Sequence, residues 1–278
     1  MTKILTRTLL GLLAVAIAVY LLMPVLVIIP MSWSESPYLA FPPEGFTTQW
    51  YERFFSDMAW MSALGNSLTV GLLSALLSVV LGTLAALALV RGRFPFRGLI
   101  MGVLLAPMIV PFVIVGLAVY ITFLSLGLTQ TTLGFVLVHT CLGVPYVMIN
   151  VVASLSSVDR RLEMAAMNLG AGPVETFFRI TLPLIFPGMF AGALFAFITS
   201  WDEVVVAIFL SGPEITTLPV KMWSGIRVQI DPTIAAISTL SLVVILAAFG
   251  CQGLVKMFSS ASERRRRKRI AQLQEEVA

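Results

Sequence analysis

Six long apolar runs dominate this sequence, and they lie near residues 8–31, 67–90, 99–126, 133–154, 186–210 and 233–258. A run of about 18 or more such residues is long enough to cross a hydrocarbon core roughly 30 Å thick as a helix. Only 12% of the residues are charged, whereas a soluble domain has about 25%. The alternating segments of about ten residues that a membrane barrel requires do not occur. The sequence therefore predicts an all-α integral membrane protein with six transmembrane helices.

The first run resembles a secretory signal because two basic residues, Lys3 and Arg7, precede it. Its apolar core is much longer than the usual core of about 7–15 residues, and it has no small-x-small cleavage site. We interpret it as a retained first span.

The distribution of basic residues predicts the orientation of the chain. With the N-terminus in the cytoplasm, only Arg53, Lys221 and Arg227 of the 18 Lys and Arg residues fall on the outer side. Loops on the cytoplasmic side carry an excess of Lys and Arg, so both termini are predicted to be cytoplasmic. The net charge of +4 follows from this topology and does not indicate nucleic-acid binding.

A long connection on the predicted cytoplasmic side covers residues 156–188. Asp159 is suited to be the N-cap of a helix built of good helix formers, and Gly170 is placed to end that helix. Pro173 is placed to open a second short helix at its first position. We expect that second helix to end before the Leu-Pro pair at 182–183.

The first helix of this connection carries an apolar stripe formed by Leu162, Ala165, Ala166 and Leu169, which recur at helical spacing. The two small residues at its centre allow another surface to approach the backbone closely. Such a helix suits docking into a groove on a partner. It equally suits lying on lipid or on the inner ends of the spans, and the stripe alone does not separate these alternatives.

The same connection carries the spacing of a known motif through Ala165, Ala166, Gly170, Ile180, Leu182 and Pro183. This spacing resembles the Glu-Ala-Ala loop of membrane subunits of ABC importers, in which the loop forms a coupling helix that inserts into a separate ATPase subunit. One residue departs from that pattern, because the glutamate before the two alanines falls on Met164. An acidic contact to the ATPase would have to come from the neighbouring Glu163 or be absent.

The resemblance extends over nearly the whole chain and is nearest to permeases of the spermidine/putrescine class, in particular the second permease of the pair. It implies a type I importer fold, with residues 1–66 as a peripheral first span and periplasmic segment. Residues 67–258 would form a five-helix core that includes the loop 156–188. The basic tail, 259–278, is interpreted as a stop-transfer block against anionic lipid, with contact to the ATPase as the alternative.

The resemblance also implies partners: a homologous permease, two ATPase subunits, a periplasmic binding protein and the lipid of a bacterial inner membrane. The sequence contains no G-x-x-x-x-G-K-[ST] phosphate loop, and no soluble segment is large enough to fold as a nucleotide-binding domain. ATP and Mg²⁺ are therefore expected on the partner ATPase, with no cofactor in this chain. His139 is the single histidine, which leaves no second histidine for a His-based metal site.

Two adjacent carboxylates, Asp202 and Glu203, interrupt the fifth apolar run. A carboxylate facing lipid costs a few kcal/mol, so acids within the membrane usually face a bundle interior or an aqueous cavity. They could attract a cationic solute, with Ser200 and Trp201 beside them on the pathway; Trp201 could add a cation–π contact. Alternatively, Ser200 or Asp202 caps a break in the span and Glu203 lies near the positive helix end. A third possibility is a bond to the partner permease.

The function predicted from these features is that of a permease subunit, not an enzyme, in an ATP-driven importer for a small cationic solute, with a polyamine as the favoured cargo. The same architecture could carry an amino-acid derivative, an opine or iron. An ion-coupled carrier is a rival class, but such carriers often contain an internal repeat, and the spans show none. Such a carrier also leaves the motif spacing of the loop unexplained.

Overall fold

The computed structural model describes residues 2–93, 95–228, 231–250 and 253. Every regular element within these residues is helical. The elements are α1 (Thr2–Met31), α2 (Gln49–Ser56), α3 (Met58–Arg91), α4 (Arg97–Ile109), α5 (Phe112–Leu126), α6 (Thr132–Ser156), α7 (Arg160–Asn168), α8 (Pro173–Thr176), a π-helical segment (Phe177–Thr181), α9 (Leu182–Asp202), α10 (Val205–Leu210), α11 (Leu218–Val228) and α12 (Thr233–Gly250). The predicted basic tail, 259–278, lies outside the described residues.

Five of the described helices are long and apolar enough to span a membrane: Thr6–Met31, Met58–Arg91, Thr132–Ser156, Pro173–Asp202 and Thr233–Gly250. The bent pair of α4 and α5 raises the number to six when it is taken as one span. The prediction of an all-α membrane protein is confirmed.

The third apolar run, 99–126, is not one straight helix. It bends by 99° between α4 and α5, where Val110 is extended at φ −71° and ψ 132° and Pro111 precedes α5. The ring of a proline disfavours helical geometry in the residue before it. Val110 therefore leaves the helix, and α5 restarts in another direction.

The fifth span begins earlier than the sequence predicts, and the expected end of the second loop helix before Leu182 is wrong. Helix continues from Pro173 to Asp202, because the turn before Pro183 widens. Leu182 N–H donates to the Phe177 carbonyl, five residues back. Proline cannot donate and its ring crowds the carbonyl four residues earlier, and one widened π turn accommodates both restrictions.

The fifth span also ends earlier than predicted. Helix α9 stops at Asp202, and the short α10 starts at Val205, so residues 186–210 are two helices.

The chain divides into two compact units, one drawn from the described parts of residues 1–62 and 221–244, the other from 63–220 and 245–278. In the first, α2 is anchored by Trp50, whose Nε1 donates to the Ser34 carbonyl at 2.7 Å. An ion pair of 2.7 Å joins Arg53 to Asp231.

The second unit is built around the packing of α6 against α9. At Gly192 the two backbones approach so closely that a Cβ atom would lie 2.6 Å from the Val147 Cα. Val147, Met148, Val151 and Ile185 are fully buried beside this crossing. This tight packing holds both ends of α9 against α6.

Candidate functional site

The loop helix has the bounds that the sequence predicts. Asp159 caps α7, since its Oδ1 accepts a hydrogen bond of 2.9 Å from the Arg161 backbone N–H. Gly170 follows the end of the helix at φ +94°, a conformation that residues with a side chain rarely adopt. Pro173 is the first residue of α8. These are local signals, so the sequence was sufficient to predict them.

The apolar stripe of α7 is exposed. Leu162 is 50% exposed and Leu169 is 89% exposed, Ala165 is exposed, and Ala166 is half-buried. Burying an aliphatic side chain of this size is worth about 1.5–3 kcal/mol. The stripe therefore offers a surface that gains stability when another surface covers it.

Glu163 lies about 100° around α7 from Leu162, and its side chain points into the protein. Its Oε1 accepts hydrogen bonds from Arg91 Nη2 at 3.1 Å and from Thr181 Oγ1 at 2.9 Å, and its Oε2 lies 3.1 Å from Arg91 Nε. Met164, at the position of the family glutamate, is 44% exposed. The carboxylate next to that position is thus engaged within the chain and does not face outward.

A groove of about 320 Å³ lies beside the turn at Gly170, and its walls include Ala166 and Ile180. Leu182 is half-buried and Pro183 is exposed at the start of α9. The motif residues Ile180, Leu182 and Pro183 therefore belong to the span itself, which runs as continuous helix from Pro173 to Asp202.

At the other end of the span, Glu203 caps the helix that follows it. Its two carboxylate oxygens accept backbone hydrogen bonds from Val206 at 2.9 Å and Ala207 at 2.8 Å, and the residue is only 4% exposed. The first N–H groups of a helix have no partner within it and carry a partial positive charge. A cap at this break is therefore present, but Glu203 provides it and not Ser200 or Asp202.

The other three predicted pathway residues lie in different environments. Ser200 is buried, with its Oγ 2.7 Å from His139 Nδ1. Trp201 is buried and stacks on Phe197 with ring centroids 5.8 Å apart. Asp202 is exposed. Of the two carboxylates in this group, that of Asp202 is the exposed one.

Two important residues of the site were missed from the sequence. In the sequence, Arg91 is one of the basic residues on the predicted cytoplasmic side, and Thr181 has no distinguishing feature. Arg91 lies 72 positions before Glu163, and nothing in the sequence pattern signals their pairing. In the part of the chain that the structure describes, no group of three or more His, Cys, Asp or Glu side chains could hold a metal ion.

Comparison with known proteins establishes the class. Residues 78–259 match the family described as "Binding-protein-dependent transport system inner membrane component", and the chain belongs to this family. It is therefore a membrane permease subunit of a transport system.

Two of the similar proteins are permeases of polyamine transport systems. The putrescine transport system permease protein PotI of Escherichia coli K12 is 37% identical over 260 residues, which cover 91% of each chain. The spermidine/putrescine transport system permease protein PotC of the same strain is 32% identical over 237 residues, covering 84% of this chain and 89% of PotC.

Solved structures agree on the fold. A bacterial ABC transporter that imports the acidic polysaccharide alginate matches with a TM-score of 0.72 at 16% identity, covering 90% of this chain and 96% of the other. The same kind of transporter in complex with an alginate pentasaccharide-bound periplasmic protein matches with a TM-score of 0.66 at 20% identity, covering 88% and 94%. The described helices therefore form an ABC importer permease fold.

Proposed function

We propose that this chain is the permease subunit of an ATP-driven importer that moves a polyamine, putrescine or spermidine, from a periplasmic binding protein into the cytoplasm. The observation that carries the proposal is the 37% identity to a putrescine permease across 91% of both chains. An alignment that covers 91% of this chain spans both the loop and the carboxylate break.

The energy for transport would come from partners. The permease would pair with a homologous permease and with two ATPase subunits, which would bind ATP and Mg²⁺. The exposed stripe of α7, with Leu162 and Leu169, is the surface suited to dock in the ATPase. The helix after the turn runs from Pro173 through Ile180 into α9, which supports the role of residues 159–183 as the coupling loop.

Asp202 is the residue best placed to interact with a cationic cargo. A protonated amine loses hydration on entering a narrow site, and a carboxylate compensates through a charge-assisted hydrogen bond. Glu203 is already occupied with backbone groups of α10, and Ser200 with His139. The charge for recognition would thus come from one carboxylate of the pair.

A second candidate is the same importer with a cargo that is not a cation, because one similar permease is named for a solute that carries a sulfonate group. The sulfoquinovosyl glycerol permease SmoH of Agrobacterium fabrum is 32% identical over 204 residues, or 72% of each chain. That identity equals the identity to PotC, although its aligned part is shorter.

The test is the ATPase activity of the assembled complex in lipid nanodiscs, titrated with its binding protein. The binding protein is loaded in turn with putrescine, spermidine or a neutral amino acid. Stimulation by the polyamine-loaded forms alone is the expected result. Stimulation only by the neutral ligand would reject the polyamine cargo and keep the importer, while a chain that assembles with no ATPase would reject the importer.

A further inference from the structure

One carboxylate joins three elements where the loop meets the spans. Glu163 belongs to the first turn of α7, Arg91 is the last residue of α3, and Thr181 is the last residue of the π-helical segment. We call these three residues the clamp. Glu163 is the common acceptor, so the clamp ties α7 to the ends of two different spans.

The clamp is largely shielded from water. The side chain of Arg91 is 22% exposed and that of Glu163 is 12% exposed. Arg91 Nη2 also donates to the Val158 carbonyl at 3.4 Å, just before α7. Charge-assisted hydrogen bonds are directional and strengthen where water is excluded, so the clamp resists sliding or rotation of α7 against the spans.

Few other contacts fix the position of α7 against the neighbouring helices. Within the described ranges, Glu163 is the one residue of α7 whose side chain forms a hydrogen bond or ion pair with another helix. The outward side of α7 is apolar and exposed. A cavity of about 570 Å³ extends beside the clamp between Leu84, Met167 and Phe177, so close packing does not secure this side of the helix.

We propose that Arg91, Glu163 and Thr181 are positioning residues for transport: they make α3 and α9 move together with α7 when the ATPase moves the loop. This inference rests on the proposed function. Without the clamp, a docked α7 would still move with the ATPase. Part of that movement would rotate α7 into the neighbouring cavity and would not be transmitted to α3 and α9. The clamp therefore sets how much transport accompanies each ATP hydrolysed.

The primary experiment measures cargo moved per ATP hydrolysed in proteoliposomes, with the complete complex and putrescine-loaded binding protein. Glu163→Gln keeps the shape and an acceptor for Thr181 but removes the charge that holds Arg91. The ratio is expected to fall about tenfold, within the range of typical coupling free energies between sites. The amount of ATPase that co-purifies is expected to remain that of the wild type.

A second pair of variants keeps the test decisive if Glu163→Gln assembles poorly. Thr181→Val removes the hydroxyl while preserving the shape of the side chain and the ion pair, and is expected to lower the ratio. Thr181→Ser restores the hydroxyl and is expected to restore the ratio. A purely structural role would reduce the yield of complex without changing the ratio in the complex that assembles.

The matched control is Glu52→Gln. Glu52 lies outside residues 159–183 and accepts a hydrogen bond of 2.7 Å from Thr48 Oγ1 at the exposed start of α2. Its ratio is expected to equal that of the wild type. Wild-type ratios in both Glu163→Gln and Thr181→Val would overturn the clamp, whereas a wild-type chain that recruits no ATPase would overturn the proposed function itself.

Discussion

A carboxylate that is largely shielded from water lies near each end of the fifth span, but the two acids are satisfied in opposite ways. Glu203 is bonded by backbone N–H groups three and four residues further along the chain. Glu163 is bonded by side chains 72 residues before it and 18 residues after it. One acid shapes a single turn, and the other holds separate helices together.

The surfaces at the two ends differ as well. At the loop, apolar side chains such as Leu169 are outside and the acid is inside. At the break, Glu203 is inside and its neighbour Asp202 is exposed. Exposed apolar groups suit a protein partner, whereas an exposed carboxylate suits a cation. The difference supports the proposal that the loop couples to the ATPase and that the break contacts the cargo, and each role can be tested by itself.

The largest effect is expected at the turn of the loop. Gly170→Asp should lower uptake about a hundredfold, equivalent to roughly 2.7 kcal/mol, because φ +94° strains any side chain and a charge is added to the docking surface. No atom of the chain lies within 4 Å of the added Cβ, so membrane insertion should be unchanged. Uptake of labelled putrescine measures the effect.

Gly172→Asp is the matched control for this variant. Gly172 also has free space around it, but it is the N-cap of α8 at φ −71°, where aspartate is favoured. A clearly smaller loss of uptake than in Gly170→Asp is expected there, because the charge is added without backbone strain. Normal uptake by Gly170→Asp would count strongly against the docking of this loop.

The next largest effect is expected on the stability of the permease, from the loss of the Glu203 cap on α10. Glu203→Leu leaves the N–H groups of Val206 and Ala207 without their acceptor in a buried place, and should destabilise the folded permease by about 2 kcal/mol. Thermal unfolding in detergent measures the loss. Glu203→Gln keeps one acceptor oxygen and should lose less. Equal stability of Glu203→Leu and the wild type would show that water or lipid replaces this cap.

A smaller effect is expected from the exposed carboxylate of the pair. Asp202→Asn should leave the unfolding temperature unchanged and lower polyamine uptake about tenfold, the equivalent of roughly 1.4 kcal/mol for one lost charge-assisted contact. Uptake rates and melting curves of the same preparation separate the two quantities. Unchanged uptake would remove Asp202 from the pathway and leave the break as a structural feature.

The smallest effect is expected on the apolar stripe. Leu169→Ser should change the stability of the permease by less than about 0.5 kcal/mol, as is usual for surface positions, yet weaken ATPase binding about fivefold, since it removes apolar area from the docked surface. Titration of the purified ATPase onto the permease in nanodiscs gives the affinity. Unchanged affinity would favour the alternative in which the stripe lies on lipid.

Features that depend on nearby residues were accessible from the sequence. The apolar runs predicted the spans, since each residue facing lipid must be apolar whatever its tertiary contacts. Asp159, Gly170 and Pro173 predicted the bounds of the loop helices, since caps and turns depend on the local backbone. The acidic pair at 202–203 drew attention to the break for the same reason.

Other predictions failed where one local rule competed with another. Pro183 was expected to stop a helix, but a widened turn let the helix continue. The apolar run 99–126 was expected to be one helix, and the chain bends by 99° just before Pro111. In both places the sequence indicates that a regular helix is disturbed, while the surrounding packing determines whether the chain continues, widens or turns.

By itself, the sequence determined that the protein is helical and membrane-embedded, with six apolar runs. It also determined the capped helix of the loop and the acidic pair, because hydropathy and capping act over a few neighbouring residues. Only the tertiary structure decided that Glu163 pairs with Arg91, that Glu203 is occupied with its own backbone, and that Asp202 is accessible. The physical reason is distance along the chain: a carboxylate requires a donor, and the sequence does not show which remote donor the fold brings to it.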